Sequence, residues 1–165
     1  MNWILDTNIF INAAQKYYGM DFCPGFWKWL LQHTDQMYTI EMVETELSEK
    51  DDDLSAWCKE QLPKTFFRTA DDETMSCYKK VVKHVMALPD PPFTQSKKDI
   101  FIGGADPMLI AFALKTGDVL VTNEKFNPDA HKKIYLPNIA TAFGVQFTDI
   151  FNVMRHLEAR LVLEQ

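Results

Sequence analysis

Short apolar runs alternate along this chain with longer segments in which apolar residues recur at helical spacing. The runs Trp3–Leu5, Tyr38–Ile40 and Val119–Val121 are typical of short, buried strands. Because parallel strands are joined by helical crossovers, the alternation predicts an α/β fold. We expect a three-layer α/β/α sandwich with a central, mainly parallel sheet, whose ligand site lies at the carboxyl ends of the strands.

The helical segments are marked by their apolar spacing and by start and stop signals. Thr7 and Asn8 are expected to cap the first helix, and Gly117 is expected to end a helix that opens at Asp106-Pro107. The proline-containing and lysine-containing stretch from Pro89 to Gly104 is predicted to be a loop that can move. The remaining predictions are helices from Pro24, over about Ile40–Leu47, over Leu54–Leu62, over Asp72–Leu88, near Ile139–Phe143 and from Asp149 to about Leu163, with an extended stretch at Thr65–Phe67.

Composition limits the size and class of the protein. The 165 residues are 47% hydrophobic and 24% charged, as expected for one globular domain over residues 1–165. A net charge of -6 argues against a generally basic surface, so any nucleic-acid contact has to be local. No apolar stretch approaches the ~20 residues that span a bilayer, and the first residues do not resemble a leader, so a cytoplasmic protein without a membrane span is expected.

The residues used most often for metal binding or disulfides show no pairing in the sequence. Cys23, Cys58 and Cys77 are odd in number and widely spaced, which favours reduced, packed thiols over a disulfide framework or a cysteine-rich zinc site. The four histidines also lack the spacing of paired ligands. A cysteine-based or histidine-based metal centre is therefore not expected.

Four acidic residues stand where an α/β fold would direct them to one place. Asp6 closes the first apolar run, and Glu124 follows another, so both are expected at the same sheet edge. Asp106 opens a helix and can point into that cleft, and Glu46 lies beside the apolar stripe of its helix and can reach in from the side. Hard divalent cations would relieve the repulsion between these carboxylates. Judged singly, Asp106 is equally well explained as a helix cap, and Glu46 is better explained as a solvated side chain.

The acidic residues lie in four short segments, which are Ile4–Ile11, Val43–Leu47, Ala105–Ala111 and Val119–Glu124. These segments resemble the PIN-domain nucleases, in particular a PIN-like group related to the VapC-type toxins of bacterial toxin–antitoxin pairs. Each match is short, but they occur in the family's order and extend over nearly the whole chain. Two further stretches, Tyr17–Trp27 and Ala142–Val145, are similar to that subgroup specifically.

The resemblance implies a single domain whose acidic quartet binds Mg²⁺ or Mn²⁺ and hydrolyses RNA phosphodiester bonds. By position, Asp6, Glu46 and Asp106 match the first three acids of the family. The fourth position departs, because Glu124 stands where the family has Asp, which leaves open whether Glu124 binds metal directly or through water. Side chains that would hold the carboxylates in place are Thr7, Asn8, Thr122 and Asn123.

The resemblance also implies partners. RNA is the expected substrate, a cognate antitoxin is the expected protein partner, and the C-terminal helix is expected either to pack on the sheet or to form the face of a homodimer. Lysines in loops beside the cleft are candidates for contacts with RNA phosphates, although solvated lysine pairs are common. These are Lys97, Lys98, Lys125, Lys132 and Lys133.

Two other classes of protein have to be weighed. A phosphatase of the haloacid dehalogenase type also begins with a strand that ends in Asp, but it expects a second Asp two residues later, where this chain has Asn8. A noncatalytic PIN-like interaction module, in which the acidic cleft binds a basic partner, remains an alternative. Metal titration distinguishes this module from an enzyme.

Overall fold

A five-stranded parallel sheet forms the centre of the computed structural model, which describes residues 1–163. The strands are β1 (Trp3–Leu5), β2 (Met37–Ile40), β3 (Phe67–Arg68), β4 (Val119–Val121) and β5 (Phe147–Thr148). Their order is β3-β2-β1-β4-β5, and every neighbouring pair is parallel. All residues of β1, β2 and β4 are buried, as expected for a sheet with helices on both faces.

Helices surround this sheet. They are α1 (Thr7–Asn12), which continues as a π-helical turn at Ala13–Tyr17, α2 (Pro24–Gln32), α3 (Glu41–Ser48), α4 (Asp53–Gln61), α5 (Asp72–Met86), α6 (Gln95–Gly103), α7 (Asp106–Thr116), α8 (Leu136–Ala142) and α9 (Ile150–His156). α1 and α4 both contact α3, whereas α5, α6 and α8 contact α7. The predicted three-layer α/β/α architecture is thus confirmed.

The strand order places a topological switch point beside β1. From β1 the chain proceeds to β2 on one side, and it later returns to β4 on the other side. Where successive connections diverge in this way, a crevice opens outside the carboxyl ends of the strands. The segments that follow β1 and β4 therefore border one cleft.

The stretch that was predicted to be a mobile loop is largely helical. α6 begins after Thr94 and includes Lys98, whose side chain is only 6% exposed. The Lys98 ammonium donates to the carbonyl oxygens of Met86 (3.0 Å), the last residue of α5, and of Leu88 (2.7 Å), two residues beyond it. The loop prediction was wrong because these carbonyl groups, which the end of α5 leaves without helical partners, provide hydrogen bonds that local composition does not show.

Two expectations about helix ends also need correction. Thr7 and Asn8 do not cap α1, since Asp6 precedes the helix without a side-chain capping bond and both side chains bind other carboxylates. The last helix ends at His156 instead of about Leu163, although Asp149 does cap it by accepting from the Asn152 N–H at 2.8 Å. The extended stretch predicted at Thr65–Phe67 is mainly a 3₁₀ turn that leads into β3.

The apolar face of α9 packs on its own chain. The ring of Phe151 meets Tyr17 edge to face at 5.6 Å, and the hydroxyl of Tyr18 lies 3.6 Å from the sulfur of Met154. His156 stacks edge-on against Trp3 in β1. The structure thus shows α9 packed against the body of the domain, and the homodimer stays a prediction.

Two further predictions concern the cysteines and membrane-spanning segments. Cys23, Cys58 and Cys77 are free, as expected. Cys58 and Cys77 are buried, as predicted for packed thiols, whereas Cys23 is only half-buried. Across residues 1–163, the helices are too short or too polar to cross a bilayer.

Gly117 ends α7 in a left-handed conformation, with φ of 76°. A Cβ at this position meets no atom within 4 Å, so the cost of Gly117→Ala is conformational. We expect a loss of about 1 kcal/mol in the free energy of unfolding. The matched control is Gly103→Ala, which also has open space but no positive φ. Urea unfolding of both variants is the measurement, and equal stabilities would contradict the explanation.

Candidate acidic site at the sheet edge

The four predicted acidic residues come from four separate segments. Asp6 joins β1 to α1, Glu46 lies in α3, Asp106 is the first residue of α7, and Glu124 follows β4 by three residues. The structure brings them together at the switch point, because the charges of Asp6, Glu46 and Glu124 all act on the carboxyl group of Asp106. Asp6, Glu46 and Asp106 are separated by tens of residues in the sequence, so it is the fold that brings them together.

Asp6 is held by a network of short polar side chains. Its Oδ2 accepts hydrogen bonds from the Asn8 side-chain amide at 2.7 Å and from the Thr122 hydroxyl at 2.8 Å. Asn8 also donates to the Thr122 hydroxyl at 3.2 Å, and it accepts from the Asn123 N–H at 3.0 Å. Glu124 is included in the network through its N–H, which donates to Thr122 at 3.1 Å. The network thereby joins the ends of β1 and β4 at the point where Asp6 leaves the sheet.

Burial and mutual repulsion disfavour charge in the centre of the site. Asp6 is 5% exposed, and burial raises its pKa to about 6, with smaller contributions in the same direction from Glu124 and Glu46. The Thr122 hydrogen bond opposes this rise. Burial, followed by the charges of Asp6, Glu124 and Glu46, raises the pKa of Asp106 well above its ordinary value. Both carboxyl groups would gain from a nearby cation.

Glu46 closes the site from the side of α3. One of its oxygens accepts from the Thr7 hydroxyl, and the other accepts from the backbone N–H of Ala105 at 2.9 Å. Gly104 borders this contact, and a Cβ there would stand 3.6 Å from Glu46 Oε1, an ordinary van der Waals distance. Glu46 thus links the start of α1 to the start of α7, a role that a solvated surface glutamate does not have.

Glu124 is neutralised by a lysine. Its Oε1 lies 2.5 Å from the ammonium of Lys133, and its Oε2 accepts from the backbone N–H of Leu136 at 3.0 Å. Burial acts to lower the pKa of Lys133, but the hydrogen bond and charge of Glu124, together with Asp106, raise it above its ordinary value. Lys133 is therefore a permanent positive charge within the acidic cluster.

Asp106 differs from the other three acids in its hydrogen bonding. Within residues 1–163 no hydrogen-bond donor reaches its half-buried carboxylate, although it faces three other carboxylates. A half-buried carboxylate with no donor is costly unless a cation compensates it. This is the observation that best fits a bound divalent ion.

The donor set fits Mg²⁺ or Mn²⁺ in kind. Carboxylate oxygens are the ligands that these hard cations prefer. As the side chains stand, no group of three or more acidic, histidine or cysteine side chains in the described part of the chain is arranged to hold a metal ion. The reason is local, because the carboxylates of Glu46 and Glu124 are turned towards their own donors. Asp106, which no donor reaches, is consequently the acid best placed to hold an ion, and Asp6 is the acid whose charge acts on it most strongly.

The lysines expected to contact RNA have different environments. Lys98 is buried with its ammonium bound to two carbonyl groups, so it is not available to phosphates, and that prediction was wrong. Lys97 donates to the carbonyls of Pro92 (2.8 Å) and His131 (2.6 Å), and so ties two loops together. Lys125 and Lys132 are exposed.

Two hollows flank the acidic cluster. The first, of about 160 Å³, is lined by Asp106 together with Lys97, Lys132 and Lys133. The second, of about 290 Å³, is lined by Thr7 and Glu46 and is more acidic. Larger surface hollows, of about 510 and 530 Å³, contain none of the four acids. A long, flexible polymer does not need a deep pocket, so the small size of the site does not exclude a polymeric substrate.

Sequence reasoning missed the contacts that depend on distant parts of the chain. Glu124 has two such partners, Lys133 in a loop and Leu136 at the start of α8. No sequence pattern predicts the position of either one relative to Glu124. The Ala105 N–H that holds Glu46 is 59 residues away from it. The sequence signal nearest to these contacts is the lysine pair Lys132-Lys133, which by itself predicts contacts with RNA phosphates and not an ion pair with Glu124.

Fold and site together define a class: α/β sandwich domains with a cluster of carboxylates in the crevice at the switch point of a parallel sheet. Within that class, the chain belongs to the family described as a domain of unknown function, DUF4411, which matches residues 3–161. A comparison with curated proteins gives no match.

Proposed function

We propose that this chain is a PIN-like ribonuclease that uses Mg²⁺ or Mn²⁺ to hydrolyse RNA phosphodiester bonds, and that it is the toxin of a bacterial toxin–antitoxin pair. The observation that carries the proposal is the convergence of Asp6, Glu46, Asp106 and Glu124 at the switch point. These are the positions that match the acidic quartet of the PIN family, as the sequence resemblance implies.

The four acids have distinct roles in this proposal. Asp6 and Asp106 are the principal metal ligands, since burial and mutual repulsion make both depend on a neutralising cation. Glu46, held by Thr7 and Ala105, completes the ligand set or orients the attacking water. Glu124 occupies a second or water-mediated position.

A phosphodiester is anionic, so its hydrolysis needs both an activated water and compensation of the charge that develops. A bound Mg²⁺ or Mn²⁺ supplies these two requirements. The chain contributes the fixed geometry: the hydroxyl of Thr122 and the amide of Asn8 prevent Asp6 from rotating away.

Charge on the two flanks of the cleft suggests where RNA lies. The hollow beside Asp106 is lined by Lys97, Lys132 and Lys133, whereas the flank beside Glu46 is acidic. Because RNA is a polyanion, its backbone is expected to follow the lysine-lined flank. The overall charge of -6 restricts this attraction to the local patch.

The experiment that tests the enzymatic proposal is incubation of the purified protein with a mixture of structured RNAs and Mn²⁺ or Mg²⁺. Cleavage is expected with either metal, and it should stop when a chelator is added. Cleavage that persists in chelator would indicate a different mechanism and would contradict the proposal.

The toxin role predicts a growth phenotype. Induced expression of the wild-type chain in a bacterium should arrest growth, because unregulated RNA cleavage stops protein synthesis. The Asp106→Asn variant, expressed to the same level, should allow normal growth. Equal growth arrest by both proteins would separate toxicity from the acidic site and contradict this part of the proposal.

Thr122→Val is expected to weaken the site without disturbing the fold. Valine keeps the shape of threonine but removes the hydroxyl that donates to Asp6 and accepts from Asn8 and Glu124. Losing such a supporting group typically costs about 10- to 100-fold in metal affinity or activity. The measurement is Mn²⁺ affinity alongside cleavage rate. The control, Thr141→Val, removes a hydroxyl bonded only to a helix carbonyl and should leave both unchanged.

The alternative, a noncatalytic module that binds a basic partner, is favoured by one observation: in residues 1–163 the acids are not arranged as a ready ligand group. Titration with Mn²⁺ separates the two possibilities. A nuclease should bind Mn²⁺ and lose that binding in Asp6→Asn. A module whose acids serve a basic partner should bind no ion at all.

A further inference from the structure

Lys133 differs from the other basic residues around the cleft. Its ammonium lies 2.5 Å from Glu124, close enough to Asp106 for the two charges to interact, and 4.6 Å from the centre of the Tyr135 ring. Its side chain is still 52% exposed and lines the hollow beside Asp106. The ammonium is therefore fixed at the acidic cluster and yet open to the cleft.

Both oxygens of Glu124 are already used. Oε1 binds the ammonium of Lys133, and Oε2 accepts from the backbone N–H of Leu136. A carboxylate with one charged and one backbone donor gains less from a metal ion than one without a donor, such as Asp106. Glu124 is 20% exposed in its side chain, which strengthens its ion pair relative to a fully solvated one.

The identity of the fourth acid fits this arrangement. The extra methylene of glutamate, compared with the Asp of the PIN pattern, lets the carboxylate reach Leu136, which lies 12 residues further along the chain. An ammonium beside the cluster also repels a second dication, because like charges a few ångströms apart interact strongly away from bulk water. The Lys133–Glu124 ion pair thus withdraws Glu124 from the possible metal ligands and adds one positive charge to the acidic cluster.

We propose that Lys133 acts as the built-in second cation of this site, so that the cluster binds one divalent ion through Asp6 and Asp106. Glu124 then positions Lys133 instead of holding a second or water-mediated metal position. This inference rests on the proposed function, because it concerns the metal-binding capacity of the same carboxylates. Lys133 is a positioning and charge-neutralising residue, and its ammonium is the fixed cation that an RNA phosphate in the adjoining hollow would meet.

The test counts bound Mn²⁺ by isothermal titration calorimetry and, separately, by equilibrium dialysis. Wild type should bind one ion per chain. Lys133→Met should bind two, because Glu124 is released and the opposing charge is gone. The double variant Lys133→Met with Glu124→Gln should return to one. The control Lys132→Met removes a neighbouring exposed lysine without an ion pair to the cluster, and it should also bind one ion.

Two results would overturn the inference: two ions in the wild type, or a single ion in Lys133→Met when thermal unfolding shows the variant to be folded. Glu124→Gln alone gives a second check that does not depend on the lysine variants, since it should still bind one ion. If wild type binds two ions and cleaves RNA, the inference fails while the ribonuclease proposal holds. If wild type binds no ion, both fail. One ion without RNA cleavage supports the inference and contradicts the proposed activity.

Discussion

Asp6→Asn is expected to abolish metal-dependent RNA cleavage while the domain stays folded. The amide oxygen can still accept from Asn8 and Thr122, so the hydrogen-bond network keeps its anchor. What is lost is the negative charge at the centre of the site. We expect cleavage to fall by at least about 100-fold, the scale on which loss of one preorganised charge-stabilising group acts.

The matched control for this experiment is Asp35→Asn. Asp35 is an exposed acid just before β2, so it lies at the amino ends of the strands, away from the cleft. The substitution Asp35→Asn makes the same chemical change at the opposite edge of the sheet, and it should leave RNA cleavage intact. Full activity in Asp6→Asn, or equal losses in both variants, would refute the assignment of the site.

The metal-free protein is expected to lose stability as the pH rises from about 4 to 7. Burial raises the pKa of Asp6 to about 6 in the folded state, compared with 3.8 for an ordinary Asp. A carboxyl group with a raised folded pKa favours folding when protonated, so its contribution is complete below about pH 4 and lost above about pH 6. The interval corresponds to roughly 3 kcal/mol. Asp106 acts in the same direction.

Urea unfolding in chelator at pH 4, 5, 6 and 7 measures this effect. Other groups titrate in the same range, so the informative quantity is the difference between Asp6→Asn and wild type. The variant should gain relative stability as the pH rises, because asparagine has no charge to bury. Adding Mn²⁺ at pH 7 should restore the wild type and not the variant. Parallel curves for the two proteins would show that Asp6 is not held in a repulsive, buried setting.

Much of the fold follows from local sequence. The apolar runs at β1, β2 and β4 are long enough to be recognised, and Gly117 ends α7 as its left-handed conformation requires. Local signals failed where distant groups supply the stabilisation. Composition suggests a loop around Lys98, yet two carbonyl groups at and just after the end of α5, 12 and 10 residues earlier, accept from its ammonium.

The candidate site shows the same division. The sequence predicts that Asp6 and Glu124 lie together, because both follow strands of one parallel sheet. This prediction needs only the topology of the sheet. Glu46 and Asp106 needed the family resemblance, since each has an ordinary explanation as a single residue. The Lys133–Glu124 ion pair was not foreseen, because the chain between them has no regular structure by which to predict a contact.

The most direct test of the central claim, that these acids form a divalent-cation site, is anomalous diffraction from crystals grown with Mn²⁺. An anomalous peak is expected within coordinating distance, about 2.0–2.2 Å, of carboxylate oxygens from both Asp6 and Asp106. Asp6→Asn crystals grown in the same way should lack it. A wild-type structure with well-ordered carboxylates, saturating Mn²⁺ and no peak at this position would contradict the account.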